Sequence, residues 1–172
     1  GAGGEPERLP PLSIVIPALN EEKCIGDTLR WVQQLRPAPA EVVLVDGGSG
    51  DGTVAAARRA MPRGLVVVRA PRGRALQMNR GAERARGALL CFLHADTRPP
   101  QDLARLAARA LGEEGVVLCG FLPRIRVPER VLWFMTLHNT LKTYYFPLLL
   151  RPAGFARGLR CLLGDQALCC RR

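Results

Sequence analysis

The sequence has little of several features that mark special classes of protein. Aromatic residues make up 5% of its 172 residues, and it has two lysines and two histidines. No uninterrupted apolar run reaches eighteen residues, which excludes a clear membrane span. The Gly/Pro-rich stretch 1–11 lacks the charged and apolar regions of a signal peptide. We therefore expect residues 1–11 to form a flexible tail.

The six cysteines lack the paired CxxC spacing of a zinc site. Cys24, Cys91 and Cys119 stand in apolar helix or strand contexts, where a free thiol behaves as a small hydrophobic side chain. The cysteines therefore favour buried or incidental thiols in a reducing compartment.

Arginine gives the chain a formal net charge of +10. The positive charges are scattered rather than gathered in one block, which favours solvated helix faces. No basic motif interleaved with aromatic residues is present, so we expect no nucleic-acid partner. An apolar fraction of 48% fits a folded globular domain with a sizeable core.

Apolar runs alternate with segments of helical periodicity along the chain. Ile25, Leu29, Val32 and Leu35, for example, recur at the spacing of one helix face. The alternation predicts an α/β fold, with a mostly parallel, doubly wound sheet and helices on both faces, in a single domain over 12–172. Strands are expected at 12–17, 41–46, 65–69, 88–94 and 115–122, and helices at 21–36, 52–60, 73–86 and 101–112.

Two of these apolar strands lead directly to a carboxylate. VVLVDGGS places Asp46 at the end of one strand, and LCFLHADT places Asp96 at the end of another. In open α/β sheets, ligands bind beyond the carboxyl ends of the strands. Two such carboxylates can hold a base or ribose with one side chain and a divalent metal with the other.

Four motifs occur in a recognisable order: SIVIPALNEE, VVLVDGGSGDGT, GRALQMNRGAERARGALLCFLHADT and, at 164–166, GDQ. In this order they resemble the inverting glycosyltransferases of family two, which have the GT-A nucleotide-sugar-binding fold. The nearest match is the subgroup whose metal motif reads HAD. The resemblance covers about residues 11–172. It implies metal-assisted transfer of a sugar from a nucleoside diphosphate sugar, UDP favoured over GDP, to an acceptor hydroxyl with Mg²⁺ or Mn²⁺.

The resemblance also implies roles for residues at the two strand ends. Asp96 would be the metal ligand, with His94 assisting or orienting it; a helix N-cap is the alternative for Asp96. Asp46 would accept a hydrogen bond from the nucleobase, and Gly47 and Gly48 would allow close backbone approach. The alternative for these three residues is an ordinary turn between a strand and a helix.

Further donor contacts are implied in two other segments. Arg74 opens a helix and suits a phosphate, although a solvated arginine is the alternative. Asn79 lies about one turn further along. Glu22 contacts ribose or caps its own helix. The first nucleotide-contacting loop of the family matches Pro17, Ala18, Asn20 and Glu22.

The catalytic base of the family is the main departure. The family places it in a Glu-Asp pair beyond a Gly-Gly-Phe turn, and this sequence contains neither. Asp165 is implied on the acceptor side and is the best-placed substitute, with a turn cap as the alternative. We therefore expect a fragment or shortened transferase with little activity. The competing interpretation is a non-catalytic nucleotide-sugar-binding or interaction domain of the same fold.

The segment 129–150 is very apolar but is interrupted by His138, Asn139 and Lys142, which make a membrane span costly. We expect a helix packed on the sheet or lining the acceptor side, with an interfacial membrane helix as the alternative. Acceptors of many family members are lipid-linked. The acceptor is unknown, the resemblance allows a lipid-linked one, and the expected location is cytoplasmic with peripheral membrane contact allowed.

Overall fold

The computed structural model describes residues 9–121 and 167–171. Asp165 and the segment 129–150 lie outside these residues, so the expectations on them stay predictions. The described elements, in chain order, are β1 (Leu12–Ala18), α1 (Glu22–Val32), β2 (Glu41–Asp46), α2 (Thr53–Ala60), β3 (Leu65–Arg69), α3 (Arg74–Arg84), β4 (Leu89–Leu93), α4 (Leu103–Gly112), β5 (Leu118–Phe121) and β6 (Ala167–Arg171).

The strands form one six-stranded sheet in the order β3-β2-β1-β4-β6-β5. β1 pairs in parallel with β2 and β4, and β2 pairs in parallel with β3. β6 runs antiparallel to both of its neighbours, β4 and β5. The expected mostly parallel α/β sheet is therefore confirmed, and β6 is an element that the sequence analysis did not foresee.

Helices cover both faces of this sheet. Side chains alternate along each strand, so the apolar strands present side chains to both faces, and the helices bury them. Ile14 and Ile16 of β1 point to the face that packs against α1, α2 and α4. Val15, between them, points to the other face, in a smaller cluster with Val43 and Ala85. The doubly wound arrangement is thus confirmed. It brings the carboxyl ends of β1, β2 and β4 to one edge of the sheet.

The apolar face predicted for α1 is buried as expected, with Ile25, Leu29, Val32 and Leu35 each at most 1% exposed. The helix itself is shorter than predicted and ends at Val32. The chain continues in a tighter turn, in which the N–H of Leu35 donates to the carbonyl of Val32 at 3.2 Å. In a continuing α-helix the ring of Pro37 would clash with the carbonyl of Gln33, so the helix ends before that residue.

α3 lies unusually close to the sheet because Gly81 faces it. A Cβ at Gly81 would overlap Cγ1 of Val15 and come within 2.9 Å of Cγ2 of Val45. The buried residues of α3 are Gln77 and Gly81, and Ala75 is exposed. Ala85, just after the helix, is buried in the cluster of Val15 and Val43, and Ala82 packs against that cluster. No helix among the described residues is long and apolar enough to cross a membrane.

Candidate functional site

A pocket opens at the carboxyl edge of the sheet, between the ends of β1 and β4 and the start of α3. Five of the residues predicted from the sequence line it: Pro17, Ala18, Arg74, His94 and Asp96. They come from three separate parts of the chain. The doubly wound topology brings them together, because the ends of parallel strands meet at one edge.

Glu21 and Gln77 also line this pocket, and the sequence analysis missed both. Glu21 is the residue before α1, so its side chain faces the pocket while Glu22 turns away. The thiol of Cys24 donates a hydrogen bond to Oε2 of Glu21 at 3.0 Å, and the backbone N–H of Glu21 donates to Oγ1 of Thr53 at 2.8 Å. The sequence could have indicated Glu21, because it is the first of two adjacent glutamates and precedes the predicted helix.

The surroundings of His94 favour the neutral form of its imidazole. Burial lowers its pKa below 6.5, and the positive charge of Arg74 lowers it further. The carboxylates of Asp96 and Glu21 act in the opposite direction, but the net shift is downward. A neutral imidazole keeps a nitrogen lone pair available for a metal or a hydrogen-bond donor.

Asp96 is an exposed carboxylate just beyond β4. Its Oδ1 accepts a hydrogen bond of 3.3 Å from the hydroxyl of Thr97. The residue before α4 is Asp102, so the alternative interpretation of Asp96 as a helix N-cap is wrong. The turn around Thr97, whose N–H donates to the carbonyl of His94, points the chain away from the sheet before α4 begins.

Asp46 ends β2 next to Ala18 of β1 and is 4% exposed. Its Oδ1 accepts a hydrogen bond of 3.0 Å from the N–H of Ser49, so this carboxylate organises the turn as the alternative interpretation expected. Gly48 has a φ of 89°, a left-handed conformation that favours glycine. The N–H of Gly47 donates to the carbonyl of Ala18 at 3.0 Å, which places the turn beside the pocket.

Asn20 and Glu22 join the loop after β1 to the loop after β2. Oδ1 of Asn20 accepts a hydrogen bond from the N–H of Gly50 at 2.9 Å, and the N–H of Asn20 donates to Oγ of Ser49 at 3.0 Å. Oε2 of Glu22 accepts from the N–H of Gly52, the residue before α2, at 3.1 Å. Glu22 therefore caps α2, and the idea that it caps its own helix is wrong.

Two predicted donor contacts on α3 differ in their placement. Arg74 is the first residue of the helix, lines the pocket and is exposed. Asn79 is exposed and is not brought into the pocket, since it lies about 200° around the helix from the buried Gln77. The structure thus places the positive N-terminus of α3 and two arginines, Arg72 and Arg74, at the pocket.

The pocket offers a small set of metal ligands. Among residues 9–121 and 167–171, no three or more His, Cys, Asp or Glu side chains are grouped to hold a metal ion. Mg²⁺ is commonly held by one or two carboxylates together with substrate phosphates, and it keeps several waters. Asp96, with neutral His94 beside it, fits such a cation, because the remaining positions would be filled by phosphate oxygens and water.

The sequence profile described as "Glycosyl transferase family 2" matches residues 13–168. The chain belongs to this family. The predicted family is therefore confirmed, and the sheet and its helices are those of the GT-A fold.

Individual relatives agree with this assignment. The chain is 36% identical over 109 residues to an undecaprenyl-phosphate 4-deoxy-4-formamido-L-arabinose transferase of Pseudomonas fluorescens, covering 58% of this chain and 32% of the relative. A mannosyltransferase of Pyrobaculum calidifontis, solved with GDP-Man and Mn²⁺, has a TM-score of 0.62 and 28% identity, over 70% of this chain and 37% of that one.

A third similarity concerns the fold alone. The glucosyl-3-phosphoglycerate synthase of Mycobacterium tuberculosis, solved with Mg²⁺ and UDP, has a TM-score of 0.60 and 21% identity, over 94% of this chain and 56% of that one. The chain thus spans about a third of the length of the arabinose transferase and rather more than half of the synthase.

Proposed function

We propose that this chain binds a nucleoside diphosphate sugar together with Mg²⁺ or Mn²⁺ and forms the donor-binding part of an inverting glycosyltransferase. The observation that carries the proposal is the pocket itself. It joins an exposed carboxylate, a neutral imidazole and a helix N-terminus bearing a guanidinium: Asp96, His94 and Arg74. An anionic diphosphate and its counter-cation need these three kinds of group at one place.

Each group has a distinct part in holding the donor. Arg74 and the free N–H groups at the start of α3 bind the diphosphate, whose charge grows as the sugar leaves. Asp96 holds the cation, with His94 as a further ligand or as the residue that orients Asp96. When bound, the cation supplies Lewis-acid stabilisation of the leaving diphosphate.

The nucleoside occupies the side of the pocket near the end of β2. There Asp46 and the turn at Gly47 and Gly48 lie beside Ala18, and the loop containing Pro17 borders the pocket. UDP is the expected nucleotide and GDP the alternative. The Pyrobaculum relative was solved with GDP-Man, which keeps GDP among the ligands to be tested.

The acceptor is proposed to be lipid-linked, since the Pseudomonas relative is named for transfer to undecaprenyl phosphate. This proposal brings with it peripheral contact with a membrane. Asp165, outside the described residues, is the proposed general base. General-base catalysis typically contributes about 10² to 10⁴-fold, so replacing Asp165 by Asn is expected to slow transfer by about that factor.

Isothermal titration of the whole chain with UDP and with GDP, each with and without Mn²⁺, tests donor binding. We expect saturable heat with one nucleotide, stronger in the presence of Mn²⁺. Absence of heat with both nucleotides and their sugars, from a sample that unfolds cooperatively, would contradict the proposal. Product analysis with the preferred donor then separates the remaining functions. A glycosylated acceptor indicates a transferase, free sugar indicates a donor hydrolase, and unchanged donor indicates a domain that only binds.

A further inference from the structure

The side chain of Gln77 spans the ends of two neighbouring strands. Its Nε2 donates one hydrogen bond to the carbonyl of Ala18 at 2.8 Å and another to the carbonyl of Val45 at 2.9 Å. Ala18 is the last residue of β1, and Val45 is the last but one of β2. Both protons of the amide are therefore committed to the main chain of the edge that borders the pocket.

The two bonds fix the orientation of the amide as well as its position. An amide oxygen facing two carbonyl oxygens would be repelled, so the nitrogen must point to Ala18 and Val45 and the oxygen elsewhere. Gln77 is 4% exposed and lines the pocket, so the amide is fixed at the pocket wall.

Packing holds Gln77 in this place from both sides. Above it, a Cβ at Gly47 would come within 2.9 Å of Cδ of Gln77, so the turn after β2 rests directly on the amide. One helical turn further along α3, Gly81 brings the helix against Val15 and Val45. The amide thus supports the two paired segments, Ala18–Leu19 and Asp46–Gly47, against which the nucleoside is proposed to lie.

We propose that Gln77 is a positioning residue for the donor nucleotide, holding the ends of β1 and β2 at the separation that the nucleoside needs. This inference rests on the proposed function. Gln77 acts through Ala18 and through the turn at Gly47, whose N–H shares the Ala18 carbonyl with the glutamine. Loss of the amide lets the two ends separate without removing any charged group from the pocket.

The test compares Gln77→Leu with a matched control, Gln33→Leu. Nε2 of Gln33 also donates to two main-chain carbonyls, that of Leu29 in the helix it ends and that of Ala60 in α2, at an exposed position. Gln33 is not among the pocket residues. We expect Gln77→Leu to weaken nucleotide binding about tenfold or more, equivalent to about 1.4 kcal/mol, and Gln33→Leu to leave it unchanged. Equal losses in both variants would overturn the proposal.

A second readout needs no ligand. Hydrogen exchange of the free protein should speed up in Gln77→Leu at peptides covering 17–22 and 44–50, because the Ala18 carbonyl that accepts from the N–H of Gly47 is no longer held by the glutamine. Unchanged exchange in both peptides would overturn the proposal. If the parent binds no nucleotide, the proposed function falls, while the exchange data still decide whether Gln77 holds the two strand ends. Gln77→Met, of similar length, replaces the leucine variant should that one fail to fold.

Gln77→Glu adds a signature that a merely structural role would not give. An ionised glutamate faces the carbonyl oxygens of Ala18 and Val45 with no proton to donate, whereas a protonated one can donate to one of them. Affinity of this variant should therefore recover partly as the pH falls, relative to the parent at the same pH. A constant ratio between the nucleotide affinities of the variant and the parent from pH 8 to pH 5 would count against the positioning role of Gln77.

Discussion

Glu22 and Gly52 join the starts of the first two helices. The N–H of Gly52 donates to the Glu22 carboxylate at 3.1 Å, and the N–H of Glu22 donates to Oδ2 of Asp51 at 3.2 Å. The carboxylate of Glu22, at the start of α1, thus accepts from an N–H at the start of α2, and the carboxylate of Asp51, just before α2, accepts from an N–H at the start of α1. These bonds satisfy N–H groups that have no partner within their own helices. A Cβ at position 52 would meet the end of the Glu22 side chain, so a larger residue there would have to displace this carboxylate.

Replacing Glu22 by Ala should destabilise the fold by about 1 kcal/mol, the typical cost of a lost helix cap. Glu22→Gln keeps an acceptor oxygen and should recover most of that loss. Urea unfolding measures the free energy, and Lys23→Ala, at the neighbouring exposed position, is the control. A neutral Glu22→Ala would mean that the carboxylate does not cap α2. Titration with nucleotide in the same variants tests the predicted ribose contact.

Replacing Asp96 by Asn should abolish the gain in nucleotide affinity that Mn²⁺ gives, because the amide keeps the shape but lacks the charge that retains the cation. The loss should exceed the roughly 10- to 100-fold that follows removal of an outer partner of a metal ligand. Asp102→Asn, another exposed aspartate on the same connection, is the matched control. Parent-like metal dependence in Asp96→Asn would show that Asp96 is not the ligand.

The stability of the protein should depend on pH through His94. The pKa of His94 is lowered on folding, by burial first and then by Arg74, so the unfolded chain binds a proton where the folded chain does not. The contribution is complete above the ordinary value of 6.5 and is lost progressively as the pH falls from 6.5 towards the lowered pKa. His94→Gln should flatten the stability curve in this range.

Chemical unfolding at half-unit steps from pH 7.5 to 5 measures this effect. Carboxylates should contribute mainly at lower pH. Burial raises the pKa of Glu41, but hydrogen bonds from the N–H of Arg86 and the hydroxyl of Ser13 outweigh it and lower the pKa below 4.5. The Glu41 contribution is lost as the pH falls through that lowered pKa. An unchanged slope in His94→Gln between pH 6.5 and 5 would refute the assignment.

Gly81→Ala should destabilise the fold by about 1–3 kcal/mol, the usual range for overpacking, despite the better helix propensity of alanine. The added Cβ meets Val15 and Val45 in the sheet, which can yield only by moving α3 outwards. Gly112→Ala in α4 is the control, since nothing lies within 4 Å of a Cβ there. The control should be neutral or slightly stabilising. A neutral Gly81→Ala would mean that α3 packs less closely than described.

The sequence predicted the parallel part of the sheet well, because apolar strands such as Val42–Val45 and a periodic helix such as α1 carry strong local signals. Asp96 and Arg74 could be assigned because motifs mark the ends of elements. Gln77 could not, since its role depends on how far α3 is rotated, and this is set by contact with Val15. Local periodicity does not contain that information.

β6 was missed for a different physical reason. Its five residues, ALCCR, are too short and too rich in cysteine to give a period-2 pattern. They become a strand only because β4 and β5 leave a gap in the sheet that they fill. The same pairing brings Cys91 and Cys119 opposite Cys169 on adjacent strands. The hydrogen bond with Cys169, together with burial, raises the pKa of Cys119. The same bond lowers the pKa of Cys169, but the hydrogen bond with Cys91 and burial outweigh it and raise that pKa, so both thiols stay protonated at neutral pH.

The position of β6 also governs the order in which the sheet can be assembled on the ribosome. β5 has no direct pairing with β4 and is joined to the sheet through β6, which is synthesised 46 residues after Phe121. The four parallel strands can therefore pair as they emerge, while β5 must wait. Until β6 has emerged, β4 and β5 lack the strand that joins them. In a nascent chain that pauses within this interval the pairing that β6 supplies is missing, which is the condition under which an exposed strand edge can pair with another chain.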